Sequence, residues 1–221
     1  GFMSLWSDLF TEVRRHASGD ALDALYQFEI GVVNGEISGL NDRLYVPLDR
    51  IRQAQEKVAS GVEIKSMGEL LTLAQYGAGS IGNGIAVVFG ASDNIAELEA
   101  MFIAKFLSKL VMQRSDYKQL FPGDLLKRSG IKRSDLGEKS ARPVLINVME
   151  RAEDSFRRVP NYYSGYANRE TAGLIAYERT LLKKCISRLN SNPFNERPIN
   201  LNVWDRSSTA MSLYLRKTPS A

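Results

Sequence analysis

A hydrophobic period of 3.6 residues dominates this chain, and it decides what the chain can fold into. Ile95, Leu98, Met101, Phe102, Phe106, Leu110 and Val111 recur at three- and four-residue intervals. That spacing sets them on one face of a helix about five turns long. Leu98, Met101, Phe102 and Leu110 are therefore expected to be buried. The same period runs through Leu5, Leu9, Phe10 and Val13, through Leu22, Leu25, Tyr26 and Ile30, and through "RETAGLIAYERTLLKKCISRL" at 169–189. No stretch alternates apolar and polar residues as a half-buried strand does. The expected fold is all-α, with residues 1–221 as one domain.

Punctuation residues set the expected boundaries. "SGLNDRLYVP" at 38–47 reads as a loop, with Pro47 at the start of the next helix, where proline is tolerated best. Ser66 with Glu69 three residues on reads as a capping box opening a helix over 66–90. Ser92 or Asp93 is the expected cap of the helix that follows. Pro122 opens a short helix that Gly130 closes. A long helix is expected over 133–159, with Pro143 in its first turns, and a last one over 201–217. "PNYYSGYAN" at 160–168 is a loop.

The stretch "YGAGSIGNG" at 76–84 places Gly77, Gly79 and Gly82 as G-x-G-x-x-G. In a dinucleotide-binding loop those glycines follow a strand and open a helix that holds the pyrophosphate. Here Met67, Leu70, Leu71 and Ala74 precede them at helical spacing, so the required strand is missing and no nucleotide cofactor is expected. Each glycine within a helix costs about 1 kcal/mol relative to alanine. Four of them, with Gly84, point to helices in close approach or to a cavity beside the backbone.

Composition removes several classes of function. One cysteine, Cys185, forms no internal disulfide. One histidine, His16, adds too little for a zinc site or a Cys/His nucleophile pair. No run reaches the roughly 18 uncharged apolar residues of a membrane span. The net charge is +4 and the pI about 9.1. The basic pairs at 14–15, 127–128, 132–133, 157–158 and 183–184 fit solvated helix faces, with no arginine-rich or aromatic–basic tract. The opening "GFMSLW" lies inside a helical pattern, which points to residues upstream of Gly1.

Four segments together resemble the squalene/phytoene synthase family, by pattern from about residue 2 to 216. They are "PLDRIRQAQEKVASGVEIKSMGELLTLAQYGAGSIGNGIAVVFGA", "FPGDLLKRSGIKRSDL", "VLINVMERAEDSFRRV" and "LLKKCISRLNSNPFNERPINLNVWDRSSTAMSLYLRK". The resemblance implies an isoprenoid-synthase-like helical bundle, in which the glycine-containing helix lines a central cavity. It also implies that the family's N-terminal helices precede this stretch. The family's enzymes join prenyl diphosphates head to head, using two aspartate-rich clusters that hold Mg²⁺ against the leaving diphosphate. The first cluster has no counterpart here. Where the second should fall, the chain reads "KFLSKLVMQRSDYKQL", with Lys105, Lys109 and Arg114 and the single carboxylate Asp116.

That departure implies a non-catalytic member with no metal, no cofactor and no catalytic residues. The family has a catalytically degenerate mitochondrial branch, which includes an assembly factor for respiratory complex I. By that resemblance the chain is expected in the mitochondrial matrix. Its partners would be protein subunits of a large assembly, either a complex I intermediate or a mitochondrial ribosomal particle in which it contacts rRNA. The alternative is a prenyl-diphosphate synthase or a prenyl-lipid-binding protein. The candidate partner interface is Tyr162, Tyr163, Tyr166 and Arg169, residue types favoured in interface hot spots. The competing role for the tyrosines is packing against the preceding helix.

Overall fold

A computed structural model describes residues 38–88, 94–159 and 169–195. Among them are seven α-helices and no strand, so the protein is all-α as the period requires. They are α1 (Ser38–Ala59), α2 (Met67–Ala74), α3 (Ser80–Val88), α4 (Ile95–Met112), α5 (Gly123–Arg128), α6 (Arg142–Phe156) and α7 (Arg169–Ser191). A single π turn, Gln75–Gly79, joins α2 to α3 without a break. The helices expected before residue 38 and after residue 200 lie outside the described residues, as do Ser92, Asp93 and the loop 160–168.

Helix α4 is the axis. Nine of its eighteen residues are buried, more than one stripe can supply, because α3 and the π turn, α6 and α7 all pack on it. Leu98, Met101 and Leu110 are in the core as expected. Phe102 is not: it is only partly buried, and the Lys105 ammonium lies over its ring, 5.8 Å from the centroid. Leu107 and Val111 of α4 share one core with Leu145, Val148 and Met149 of α6 and Leu189 of α7.

Two expected boundaries are corrected. Residues 38–47 are helix, not loop, and Pro47 lies inside α1. An interior proline loses one backbone hydrogen bond and crowds the preceding turn, at a cost of about 3 kcal/mol. Continuing the helix upstream buries Leu44, 3% exposed, whose Cδ2 lies beside Gly84 of α3. Burial on that face offsets the proline. Residues 133–141 are successive 3₁₀ turns, and α6 starts only at Arg142 with Pro143 in its first turn. A proline placed there is compatible with a helix start and not with a helix already under way.

The short helix α5 follows the sequence signals. Pro122 is its N-cap, and Gly130 takes φ +65°, the left-handed conformation glycine adopts without penalty. The Ser66 hydroxyl caps α2 by accepting from Glu69 N–H at 3.2 Å. Glu69 returns a bond one residue further out than the motif predicts, its Oε2 accepting from Lys65 N–H at 2.9 Å.

The connector between α1 and α2 docks along the chain before α5. Ile64 N–H donates to Gln119 C=O at 3.0 Å, Gly123 N–H to Ile64 C=O at 3.0 Å and Asp124 N–H to Lys65 C=O at 2.8 Å. Arg133 closes the junction. Its Nη1 donates to the carbonyls of Lys118 at 2.9 Å and Phe121, and its Nη2 to Ile64 C=O at 3.0 Å. Beneath this polar seam Ile64 and Phe121 are fully buried.

Candidate functional site

The glycines at 77–84 face protein. A Cβ on Gly82 would lie 2.5 Å from the carbonyl oxygen of Leu98 and 2.6 Å from its carbon. No side chain fits there, so α3 and α4 cross backbone to backbone. Gly77 and Gly84 meet Ala54 and Leu44 of α1. Of the two explanations the glycines allow, close helix approach is the one the structure bears out at Gly82.

Beside that crossing lies a polar group that the sequence pattern did not flag. Glu99 of α4 accepts Gln75 Nε2–H at Oε2 and Asn83 Nδ2–H at Oε1, both at 2.9 Å and partly buried. Eight residues of plain α-helix leave two side chains roughly 80° apart. The wider π turn, with its i→i+5 bonding, takes back most of that offset and aims both amides at one carboxylate. A usable signal was present, two amides one residue beyond a heptad, but it is legible only with the π turn in place. At the start of the same helix, Glu97 Oε2 and Oδ1 of Asn94, its N-cap residue, are buried atoms without a hydrogen-bond partner.

Lys105 and Lys109 lie further along α4, and Arg114 and Asp116 follow its end. Lys105 Nζ lies 2.6 Å from Glu178 Oε2 of α7, a tie between the two helices. Lys109 is exposed. Arg114 is 5% exposed; its guanidinium lies 5.1 Å from the Phe194 ring centroid, and its Nη1 donates to Val111 C=O at 3.4 Å. Asp116 is exposed, in the turn that follows. Among the described residues no three His, Cys, Asp or Glu side chains stand close enough to share a metal ion. Cys185 is buried and reduced, and burial raises its thiol pKa, the opposite of what a nucleophilic cysteine needs.

Tyr162, Tyr163 and Tyr166 lie outside the described residues. Arg169 is the first residue of α7; its side chain is also outside them. The candidate interface is thus neither assembled nor dispersed by this structure. Among the described residues no helix is long and apolar enough to cross a membrane. Comparison with family models, characterised proteins and solved structures gives no match.

Proposed function

We propose that this chain is a non-catalytic member of the squalene/phytoene synthase family that serves as a scaffold or assembly factor on a large mitochondrial complex. One observation carries the reading. On the helix where the family needs its second carboxylate cluster, the chain places Lys105 and binds it to Glu178 across α4 and α7. An ammonium held there opposes Mg²⁺ by charge, and the nearby carboxylate is already neutralised. Behind that exposed position the helices are packed: the Gly82 crossing leaves no room for a Cβ, and half of α4 is buried. A packed helical core with charged side chains outward suits a part that other subunits build upon. The partners proposed are protein subunits of a complex I intermediate or a mitochondrial ribosomal particle.

The test has two arms. Calorimetry of the native protein with a farnesyl diphosphate analogue and Mg²⁺ is expected to show no Mg²⁺-dependent binding; micromolar binding that needs Mg²⁺ overturns the non-catalytic reading. Sedimentation of matrix extract is expected to carry the protein with a large complex, and a free monomer there overturns the scaffold. Serine at Tyr162, Tyr163 and Tyr166 should release a folded protein from that complex if those tyrosines form the interface.

A further inference from the structure

Charge is distributed unevenly along this chain. Residues 1–99 carry seven basic and fourteen acidic side chains, whereas residues 100–221 carry twenty-two basic and eleven acidic ones. The sign changes within α4, between Glu97 and Glu99 near its start and Lys105 and Lys109 further on. The excess is dense after α4, where residues 114–142 hold eight basic against four acidic side chains. Asymmetry of this kind between halves of a chain points to a polyanionic partner.

The fold gathers these cations. Lys118, Lys127, Arg128, Lys132, Lys139 and Arg142 are all exposed. Arg133 holds the Lys118 carbonyl at 2.9 Å, which brings Lys118 next to the Lys132 turn. Ile131 N–H donates to Leu126 C=O at 3.0 Å, which folds Lys132 back beside Lys127 and Arg128 in the last turn of α5. The 3₁₀ turns that follow, closed by Glu138 N–H to Asp135 C=O at 2.9 Å and Ala141 N–H to Glu138 C=O at 3.0 Å, carry Lys139 and Arg142 on to α6. Several of the interspersed acids are engaged locally. Asp124 accepts from Leu125 N–H and lies 3.6 Å from Arg128, and Asp135 accepts from the Ser134 hydroxyl.

Three classes of partner favour a basic surface. A lipid surface also wants apolar side chains to insert, and a protein interface wants an apolar or aromatic anchor at its centre. The large exposed hydrophobics among the described residues are Val46, Val62, Tyr76 and Ile81, none of them in this segment. A phosphate backbone asks for neither. It is bound by charge, with lysine and arginine side chains meeting phosphate oxygens. We propose that the folded segment 118–142 is a docking surface for the phosphate backbone of RNA. This deepens the scaffold reading, on which it rests for a cellular source of RNA, by choosing an RNA-bearing assembly.

The test uses the purified full chain and an RNA duplex of about twenty base pairs, titrated between about 50 and 200 mM salt. The triple variant Lys127→Glu, Lys132→Glu, Lys139→Glu is compared with a control of equal charge change, Arg43→Glu, Lys57→Glu, Lys65→Glu. Circular dichroism melting checks that both remain folded, and glutamine replaces glutamate in both sets if they do not. The expected result is RNA binding by the native chain and the control. In the 127/132/139 variant, the slope of log affinity against log salt should be shallower by about three. Equal loss in both variants, no binding by the native chain at 50 mM salt, or tighter binding to phosphatidylserine vesicles than to RNA overturns the proposal. Direct binding reads this surface alone, whereas the sedimentation test reads the scaffold, so the two can fail separately.

Discussion

Where α3 crosses α4, two backbones touch because Gly82 has no side chain. Where residues 64–65 meet 119–124, two backbones are joined by hydrogen bonds and by the Arg133 guanidinium. The first contact is steric and allows no added atom; a Cβ would enter the Leu98 carbonyl. The second is polar and allows no lost donor, because several carbonyl oxygens depend on one side chain. Both are close contacts between segments distant in sequence. They teach that a short distance alone does not reveal what holds it: one site resists growth, the other resists deletion.

The sharpest way to break the first contact is Gly82→Ala. The new methyl meets backbone on a neighbouring helix, which cannot swing aside, so α3 and α4 must separate. The expected cost is roughly 3 kcal/mol or more, a fall in Tm of the order of 10 °C for a chain of this size. Amide exchange should rise along both α3 and α4; unchanged Tm and exchange would show that the crossing has slack.

Arg133→Met tests the second contact with the opposite chemistry, keeping bulk and removing donors. About 2 kcal/mol should be lost, since part-buried carbonyls are left unmet. Exchange should accelerate at the Ile64 and Gly123 amides while α4 keeps its protection. Arg133→Lys is expected to recover less than half, because one ammonium cannot reach carbonyls on both segments. Full recovery by lysine would reduce the site to a charge effect.

The smallest effect is expected on the outer face of α1, where neither mechanism operates. Hydrogen bonds from Arg52 first and Gln53 second hold the Asp49 carboxyl below its ordinary pKa. A depressed folded-state pKa gives stability that is present above the unfolded value and lost as pH falls through the folded one. Asp49→Asn should therefore lower Tm slightly near pH 7, and by progressively less as pH falls below the ordinary Asp value of about 4. The difference is small because the group is exposed and screened, and a larger loss at acid pH than at neutral pH would reverse the sign.

These contrasts mark how much was legible in the sequence. The period gave the all-α class and the burial of Leu98, Met101 and Leu110, because a helix facing several neighbours needs apolar residues at fixed spacing. Pro122, Gly130 and Ser66 gave their boundaries, because backbone conformation there depends on one residue. Pro47 misled, since its local cost is offset by the packing of Leu44, three residues before it, on a helix far along the chain. Phe102 misled because periodicity assigns a face and not the depth to which a neighbour covers it. The Glu99 amide pair and the Arg133 junction join residues up to 69 positions apart, and no local pattern encodes such pairings. The tyrosine interface lies outside the described residues and stands as the sequence left it.

The π turn at Gln75–Gly79 has a consequence for chain length. A wide turn of this kind is a regular helix holding one residue too many, so its flanks keep the phase they would have without the extra residue. Removing Ala78 would turn the spacing of Gln75 and Asn83 from eight into seven, still one face of a helix. Removing a residue elsewhere in α2 or α3 would rotate everything beyond it by about 100° and carry Gly82 away from Leu98. Within 67–88, the π turn is the place where a one-residue gap leaves both flanks aligned.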